Sequence, residues 1–475
     1  MSMRTFHALP DAPITSLPSF LEAGGGLGLR RALESGPAAV LDAIDEAGVR
    51  GRGGAGFPTG RKWRSVLSEP TRGDRVDVVV NAAEGEPGTF KDRALLRANP
   101  YLVLEGALVA AHTVGASRVI VATKAAYATE LSALERAVGE LREAGWLDGV
   151  EVVVVRGPDH YLYGEETALL EVIEGEEPLP RHLPPYQYGL FSAEPQLGWS
   201  AGTDDGSGGS NPSLVNNVET YAHVALVMQH GSEWYRSLGA DSSPGPTIVT
   251  ITGDVRRAVV AEVELGHPLR EVIDELAGGV GPGRRIKAVL SGVSNPVLVG
   301  DALDAPMTYE ALAAAGGGLG SAGFVVYDDT RNMVDVAHQV SRFLHVESCG
   351  QCNACKGGTF DITVALEQLV LDGEISERAL WRLRRSLETV TDGGRCYLPV
   401  QEQRLITSLL QRFPDDLDER AGGAPGDPDV VLPKLVDLVD GVAVVDAEML
   451  LKQPDWTYAE TPVRLGPRVV REPAV

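Results

Sequence analysis

Residues 76–81, VDVVVN, 118–124, RVIVATK, and 151–157, EVVVVRG, decide the fold of this 475-residue chain. Each run is short, apolar and β-branched, as expected of strands covered on both faces. Between them lie LLRANPYLVLEGALVAAHTV (95–114) and TELSALERAVGELREAG (129–145), longer segments with helical patterns. Strands alternating with helices predict an α/β layer with a mostly parallel sheet. A further helical start, GEETALLEVIEG (164–175), follows the third strand almost directly.

Outward from this layer the composition changes. The chain turns Pro-rich at 176–186 (EEPLPRHLPPY) and Gly/Ser/Asp-rich at 200–212 (SAGTDDGSGGSNP), so residues 190–211 read as an inserted loop. Short strands and Gly-rich turns over 247–328 predict a small α+β domain. From 332 to 415 the pattern is helical: Val336, Val340, Phe343 and Leu344 share one face, as do Ile362, Leu366 and Leu369, then Leu380, Leu383, Leu387 and Val390. Ser376 is placed to cap the third of these runs, and PVQEQRLITSLLQRF (399–413) supplies a fourth. The expected organisation is an N-terminal extension (1–45), an α/β domain (46–240), the α+β domain, the helical domain and an acidic tail (416–475) without an assigned role.

With 42 Lys and Arg against 66 Asp and Glu, the formal charge is −24, which argues against non-specific binding of nucleic acid or an anionic membrane. MSMRTFHALPDAP lacks a basic start followed by an apolar core, so no signal peptide is expected and a cytoplasmic location is the default. The apolar stretch from Tyr101 to Tyr127 is broken by Glu105, His112, Arg118 and Lys124, and reads as helix, turn and strand rather than a membrane span. No direct insertion into a membrane is expected.

The chain has four cysteines, and their spacing carries its most specific chemistry. Cys349, Cys352 and Cys355 form CGQCNAC, and Cys396 follows beyond two predicted helices. Four thiolates are the set a [4Fe-4S] cube needs, with one loop wrapping three corners and a distant ligand stapling it. Gly350, Gly357 and Gly358 admit backbone amides near the sulfurs, where hydrogen bonds tune a cluster. Structural zinc is the rival, although its cysteines usually come as two pairs; unligated thiols or disulfides are the blander alternative.

Residues 51–63, GRGGAGFPTGRKW, carry five glycines with Arg52 and Lys62, a composition that lets backbone press on a planar or phosphorylated ligand. The spacing is neither GxGxxG nor a P-loop, so a purely structural turn stays open. Asn81, Glu84 and Glu86 in NAAEGEPGTFKDR (81–93) follow the first strand, at the usual ligand edge of an open α/β sheet. Glu165 and Glu166 sit at a helix start, where they either favour the helix dipole or meet ligand hydroxyls. Asn216 and Asn217 in LVNNVET (214–220) either cap a helix or join the same ligand.

Taken in order, GRGGAGFPTGRKW, NAAEGEPGTFKDR, YGEETALLEVIEG, VNNVET and ESCGQCNACKGGT resemble the flavin-bearing, NADH-oxidising subunit of respiratory complex I and its relatives in soluble hydrogenases and formate dehydrogenases. The resemblance runs from about Gly48 to Pro414. It implies a Rossmann-like flavin domain, a small ubiquitin-like α+β domain of the SLBB type and a C-terminal four-helix iron-sulfur domain. It further implies that Gly51, Arg52, Gly53, Gly54, Lys62, Asn81, Glu84, Tyr161, Gly164, Glu165, Glu166, Asn216, Asn217 and Thr220 line FMN. Phe57, Glu86 and Glu166 would contact NADH, with Glu86 and Glu166 at the reacting end, and the four cysteines would hold the cluster. The family pattern is broken on the nicotinamide side, where Ala83 replaces Asp, Leu183 replaces Lys, and Tyr186 and Ser65 replace Phe.

The expected activity is that of an NADH dehydrogenase flavoprotein subunit: hydride transfer from NADH to FMN, then single electrons through the cluster to an acceptor or quinone pathway. The implied partner is a protein carrying a [2Fe-2S] or other redox centre, since no cysteines remain for a second cluster. The substituted nicotinamide side motivates an alternative, a relay that exchanges electrons with ferredoxin or another protein chain without NADH. A location in the cytoplasm, peripheral to a membrane complex, suits either reading.

Overall fold

The computed structural model describes residues 3–69, 76–192, 211–373, 375–454 and 456. The chain divides into two compact units, one from Thr5–Glu84 with Asp92–Thr247, the other from Gly85–Lys91 with Ile248 onward and the first residues up to Arg4. The inserted loop expected at 190–211 falls largely on residues 193–210, and the last part of the tail on 457–475, both outside the described residues.

The first unit is a parallel four-stranded sheet. Strands β1 (Asp77–Ala82), β2 (Arg118–Lys124), β3 (Glu151–Gly157) and β4 (Ser213–Asn217) lie in the order β3-β2-β1-β4. The register pairs Val78 with Val119 on one side and with Leu214 on the other. Val78, Val79 and Val80 are fully buried, which is why a run of β-branched residues without alternation forms the central strand. β4 is a finding, since SLVNN reads from sequence as a ligand or capping motif: its two apolar residues make a strand only by pairing with β1. Its placement reverses the strand order at β1, creating the crevice where open α/β sheets bind ligands.

Pro100–Val114 is buried along nearly its whole length and crosses Val218–His230 closely. At the crossing Gly106 meets the Tyr221 carbonyl, where an added Cβ would lie 1.8 Å from the oxygen. The first 45 residues are not an appendage. They form helices Leu17–Glu22, Leu27–Ser35 and the start of Pro37–Ala47, and the buried Glu105 carboxylate accepts the Gly26 and Leu29 N–H groups at 3.1 and 2.9 Å. Burial raises the Glu105 carboxyl and these amides oppose the rise.

In the second unit, β5 (Pro246–Gly253), β6 (Val259–Glu264), β7 (Ile286–Ser291) and β8 (Gly323–Asp328) join the short Arg4–Thr5 strand in a mixed sheet ordered Arg4–Thr5, β6, β5, β8, β7. β7 and β8 are antiparallel, β8 and β5 parallel. Val249, Ile251, Val272, Ile273, Val289 and Phe324 belong to one core that includes the helix Leu269–Ala277. Helices Met333–Val346, Asn353–Asp372, Glu377–Thr389 and Leu398–Arg412 follow, and Ser376 caps the third by accepting the Ala379 N–H. The tail opens with the helix Pro414–Ala421, whose Arg420 forms a buried two-point ion pair with Asp335 at 2.8 and 2.5 Å. It continues into a hairpin, Leu435–Val439 with Val442–Val445.

Among the described residues no single helix is long and apolar enough to cross a membrane. The helices Lys91–Ala98 and Pro100–Val114 reach that hydrophobicity only together and are bent by 98° at their junction.

Candidate functional sites

At the switch point of the parallel sheet, β1 ends in Asn81 and Ala82 and β4 in Asn216 and Asn217. The Asn81 amide donates to the Gly164 carbonyl at 2.8 Å while its oxygen accepts the Ala83 N–H. Asn217 caps Val218–His230 and donates to Asp92 at 2.6 Å. Asn216, with its amide turned to satisfy both ends, donates to the Val215 carbonyl and accepts the Trp63 indole N–H at 2.9 Å. Thr220 accepts the Arg52 backbone N–H at 2.9 Å, tying the glycine turn to this edge.

The turn itself closes through Gly51 N–H to the Phe57 carbonyl at 2.8 Å. Gly54 and Gly56 have φ of 120° and 61°, so this path favours glycine at both positions. Gly51 and Gly53 lack side chains where added Cβ atoms would make only ordinary contacts of 3.5 and 3.4 Å, so bare backbone faces outward rather than a neighbour that excludes it. Phe57 is exposed, with the Arg61 guanidinium 5.7 Å from its ring centre. From the following helix, Thr59–Ser68, the half-buried Lys62 amine donates to Glu166 at 2.8 Å and to the Val215 carbonyl at 3.0 Å. Tyr161 precedes, and Gly164 ends, the 3-10 turn Leu162–Gly164 that leads into Glu166–Glu174.

Three charged residues expected at the ligand have their side chains engaged in the scaffold. The buried Arg52 guanidinium donates to the Tyr235 hydroxyl and to the Pro244 and Pro246 carbonyls, so its charge is directed into the fold. The Glu84 carboxylate accepts the Asp92 N–H and pairs with Arg93 at 2.9 Å in a buried bridge. Glu165 caps its helix by accepting the Thr167 and Ala168 N–H groups and the Thr167 hydroxyl. Burial raises its carboxyl, and those donors counter part of the rise. In the other unit, Glu86 accepts the Val293 N–H and the Ser294 hydroxyl at 2.8 and 2.7 Å. Arg93, Asp92 and Trp63 are the residues that sequence reasoning passed over: all three lie within the glycine-rich motifs, but nothing in their spacing announces their partners.

Of the substituted positions, Ala83 is buried in the core beside Val79, Tyr163 and Leu170. Ser65 is half-buried and donates to the Arg61 carbonyl one turn back. Leu183 is exposed.

The four cysteines are gathered in the second unit, and none is in a disulfide. Cys349 follows Met333–Val346, Cys352 stands immediately before Asn353–Asp372, Cys355 is buried in that helix's first turn and Cys396 precedes Leu398–Arg412. Burial pushes the Cys355 thiol up, and Cys396, Cys349 and Cys352, in that order, push it further, so all three lie within electrostatic reach. Gln351 donates to the Cys349 sulfur at 3.4 Å. The helix N-terminus at Cys352 adds positive potential that suits thiolates. Among the described residues no three metal-ligating side chains converge tightly enough for a single ion. A cube does not need that convergence, because each thiolate sits on its own corner, and the donor set fits an iron-sulfur cluster. Behind Cys355, burial raises the Glu402 carboxyl to about 8, and Ser341 donates to it at 2.6 Å.

A parallel sheet with a bare-backbone turn at its switch point, joined in one chain to a four-thiolate helical region, defines an α/β ligand-binding protein that also carries a metal-cluster region. Residues 44–226 match the Nuo51 FMN-binding domain, and residues 335–420 match the NADH-ubiquinone oxidoreductase-F iron-sulfur binding region. An NADH-quinone oxidoreductase F subunit of Rhizobium meliloti, the one numbered 2, is 40% identical over 417 residues, spanning 85% of this chain and 94% of that protein. The F subunit of the Aquifex aeolicus NADH-quinone oxidoreductase is 33% identical over 86% of this chain and 91% of its own length. The crystal structure of an NAD+-reducing [NiFe]-hydrogenase in the H2-reduced state superposes with a TM-score of 0.73 at 30% identity, covering 88% of this chain and 68% of that one. The chain belongs to the family of NADH-quinone oxidoreductase F subunits, and is an oxidoreductase component with an FMN-binding domain and a 4Fe-4S region.

Proposed function

We propose that the chain oxidises NADH in the parallel-sheet unit and passes electrons singly through its cluster to a protein partner carrying a [2Fe-2S] or other redox centre. When bound, FMN would supply a hydride acceptor able to exchange electrons in twos and ones, and an iron-sulfur cluster would supply a one-electron carrier. The observation that carries the reading is the gathering of Lys62, Asn81, Asn216, Asn217 and Thr220 around the glycine turn at the sheet's switch point. In this proposal Gly51, Gly53, Gly54 and Gly164 bring bare backbone to the flavin, Lys62 supplies its positive charge, and the amides, Thr220 and Tyr161 meet its polar edges. Arg52, Glu84 and Glu165 hold these groups in position, since their side chains are committed to the scaffold.

Phe57 and Glu166 meet the nucleotide: an exposed aromatic ring suits stacking, and a half-buried carboxylate suits sugar hydroxyls. Glu86 steadies the Val293–Ser294 turn through its carboxylate. No side-chain acid or base is required, so the pocket binds, orients and excludes water. Cys349, Cys352, Cys355 and Cys396 hold the cluster. The region 247–328 is assigned to the ubiquitin-like SLBB class and 332–415 to a four-helix iron-sulfur domain, and the chain works in the cytoplasm, peripheral to a membrane complex.

The test is anaerobic mixing of the FMN- and cluster-loaded protein with NADH, and separately NADPH, following flavin bleaching by stopped flow. Rapid bleaching by NADH is expected. Failure of both nucleotides, with dithionite still reducing both centres, would replace this reading with the relay fed by a protein partner.

A further inference from the structure

Past the matched iron-sulfur region, which ends at residue 420, the chain returns to the cysteine loop. The Arg342 guanidinium donates to the carbonyls of Met449, Leu450 and Lys452 at 2.8, 2.6 and 3.2 Å, and the Lys452 amine pairs with the buried Glu347 at 2.8 Å. Arg342 and Glu347 both precede Cys349, so the anchor is built beside the ligand loop itself.

Beyond the anchor, the Trp456 indole rests on that loop. Its N–H donates to the Ser348 hydroxyl at 3.2 Å, and its ring lies so close to Gly350 that an added Cβ would sit 2.7 Å from Cγ and Cδ1. Gly350 has a φ of 72°, which presents the bare Cα side of the loop to the ring. The Lys356 amine, one residue after Cys355, is 3.9 Å from the ring centre, a cation–π contact at close range. One indole thus touches residues on both flanks of the ligand loop and the glycine within it: Ser348 before Cys349, Gly350 before Cys352, and Lys356 after Cys355.

We propose that residues 447–454, together with Trp456, form a clasp in which Trp456 covers the CGQCNAC loop and controls solvent access to the cluster it holds. This rests on the cluster reading above, and extends it to a residue outside the ligand set. A large apolar ring over the loop removes water from one side of it, and the Lys356 contact keeps a positive charge seated beside the thiolates.

The experiment is anaerobic iron release from the reduced, loaded protein to a coloured ferrous chelator, with FMN content and thermal melting measured in parallel. Trp456→Leu should release iron severalfold faster than the parent at unchanged FMN content and melting temperature, and Trp456→Phe should restore slow release. Arg342→Met, which frees the anchor without touching the cover, should also accelerate it. A Trp456→Leu release rate equal to the parent's would overturn the clasp, as would faster release that comes with lost FMN and a lowered melting temperature. A parent protein that binds FMN but no iron would overturn the cluster reading as well.

Discussion

Glu165 and Glu166 are adjacent in sequence and have different work. Glu165 spends its carboxylate on the first N–H groups of its helix, whereas Glu166 pairs with Lys62 at the glycine turn. Replacing Glu166 with Ala is expected to raise the KM for NADH about tenfold, roughly the 1.4 kcal/mol of one nucleotide contact, with FMN retained. Replacing Glu165 with Ala is expected to cost about 1 kcal/mol of stability, the usual value of a lost cap, and to appear in denaturant melts. Equal nucleotide titrations for Glu166→Ala and the parent would remove Glu166 from the site. Glu402 adds a pH dependence. Its carboxyl is raised to about 8 when folded, so its contribution is fully present below the ordinary carboxylate range and is lost as pH climbs through about 8. Glu402→Gln keeps the neutral shape, and should melt at least ~3 °C above the parent at pH 9 while matching it at pH ~4, below the ordinary carboxylate value. A constant difference across that range would show that Glu402 does not titrate there.

At the scale of elements, periodicity sorted the long segments because burial acts on many residues at once. Pro100–Val114 is the extreme case, apolar on every side because it is enclosed on every side. Its closeness to Val218–His230 depends on one position, Gly106, with its backbone against the Tyr221 carbonyl. Gly106→Ala must displace one helix, and is expected to destabilise the protein by about 1–3 kcal/mol, read from urea unfolding. The short elements escaped the same reasoning. Ser213–Asn217 is a strand because β1 offers it a partner, and the hairpin Leu435–Val445 lies in a tail whose acidic, Pro- and Gly-rich composition gives no period to follow.

For the whole molecule, the flavin-side residues other than Glu86 belong to one compact unit and the cluster ligands to the other. Cys396→Ala should therefore abolish the cluster's broad visible absorbance and its iron while FMN remains bound at parent levels. Unchanged iron content would refute its role as a ligand. The four cysteines, the first three strands of the parallel sheet and the order of the motifs were legible in the amino-acid sequence, because spacing within a loop and a run of β-branched residues leave local marks. The partners of Arg52, Glu84 and Glu165, and the return of Trp456 to Gly350, were decided only by the tertiary structure. Those contacts join residues far apart in the chain or choose among equivalent carboxylates, and a hydrogen bond or a stacked ring depends on where backbones meet, which no local pattern encodes.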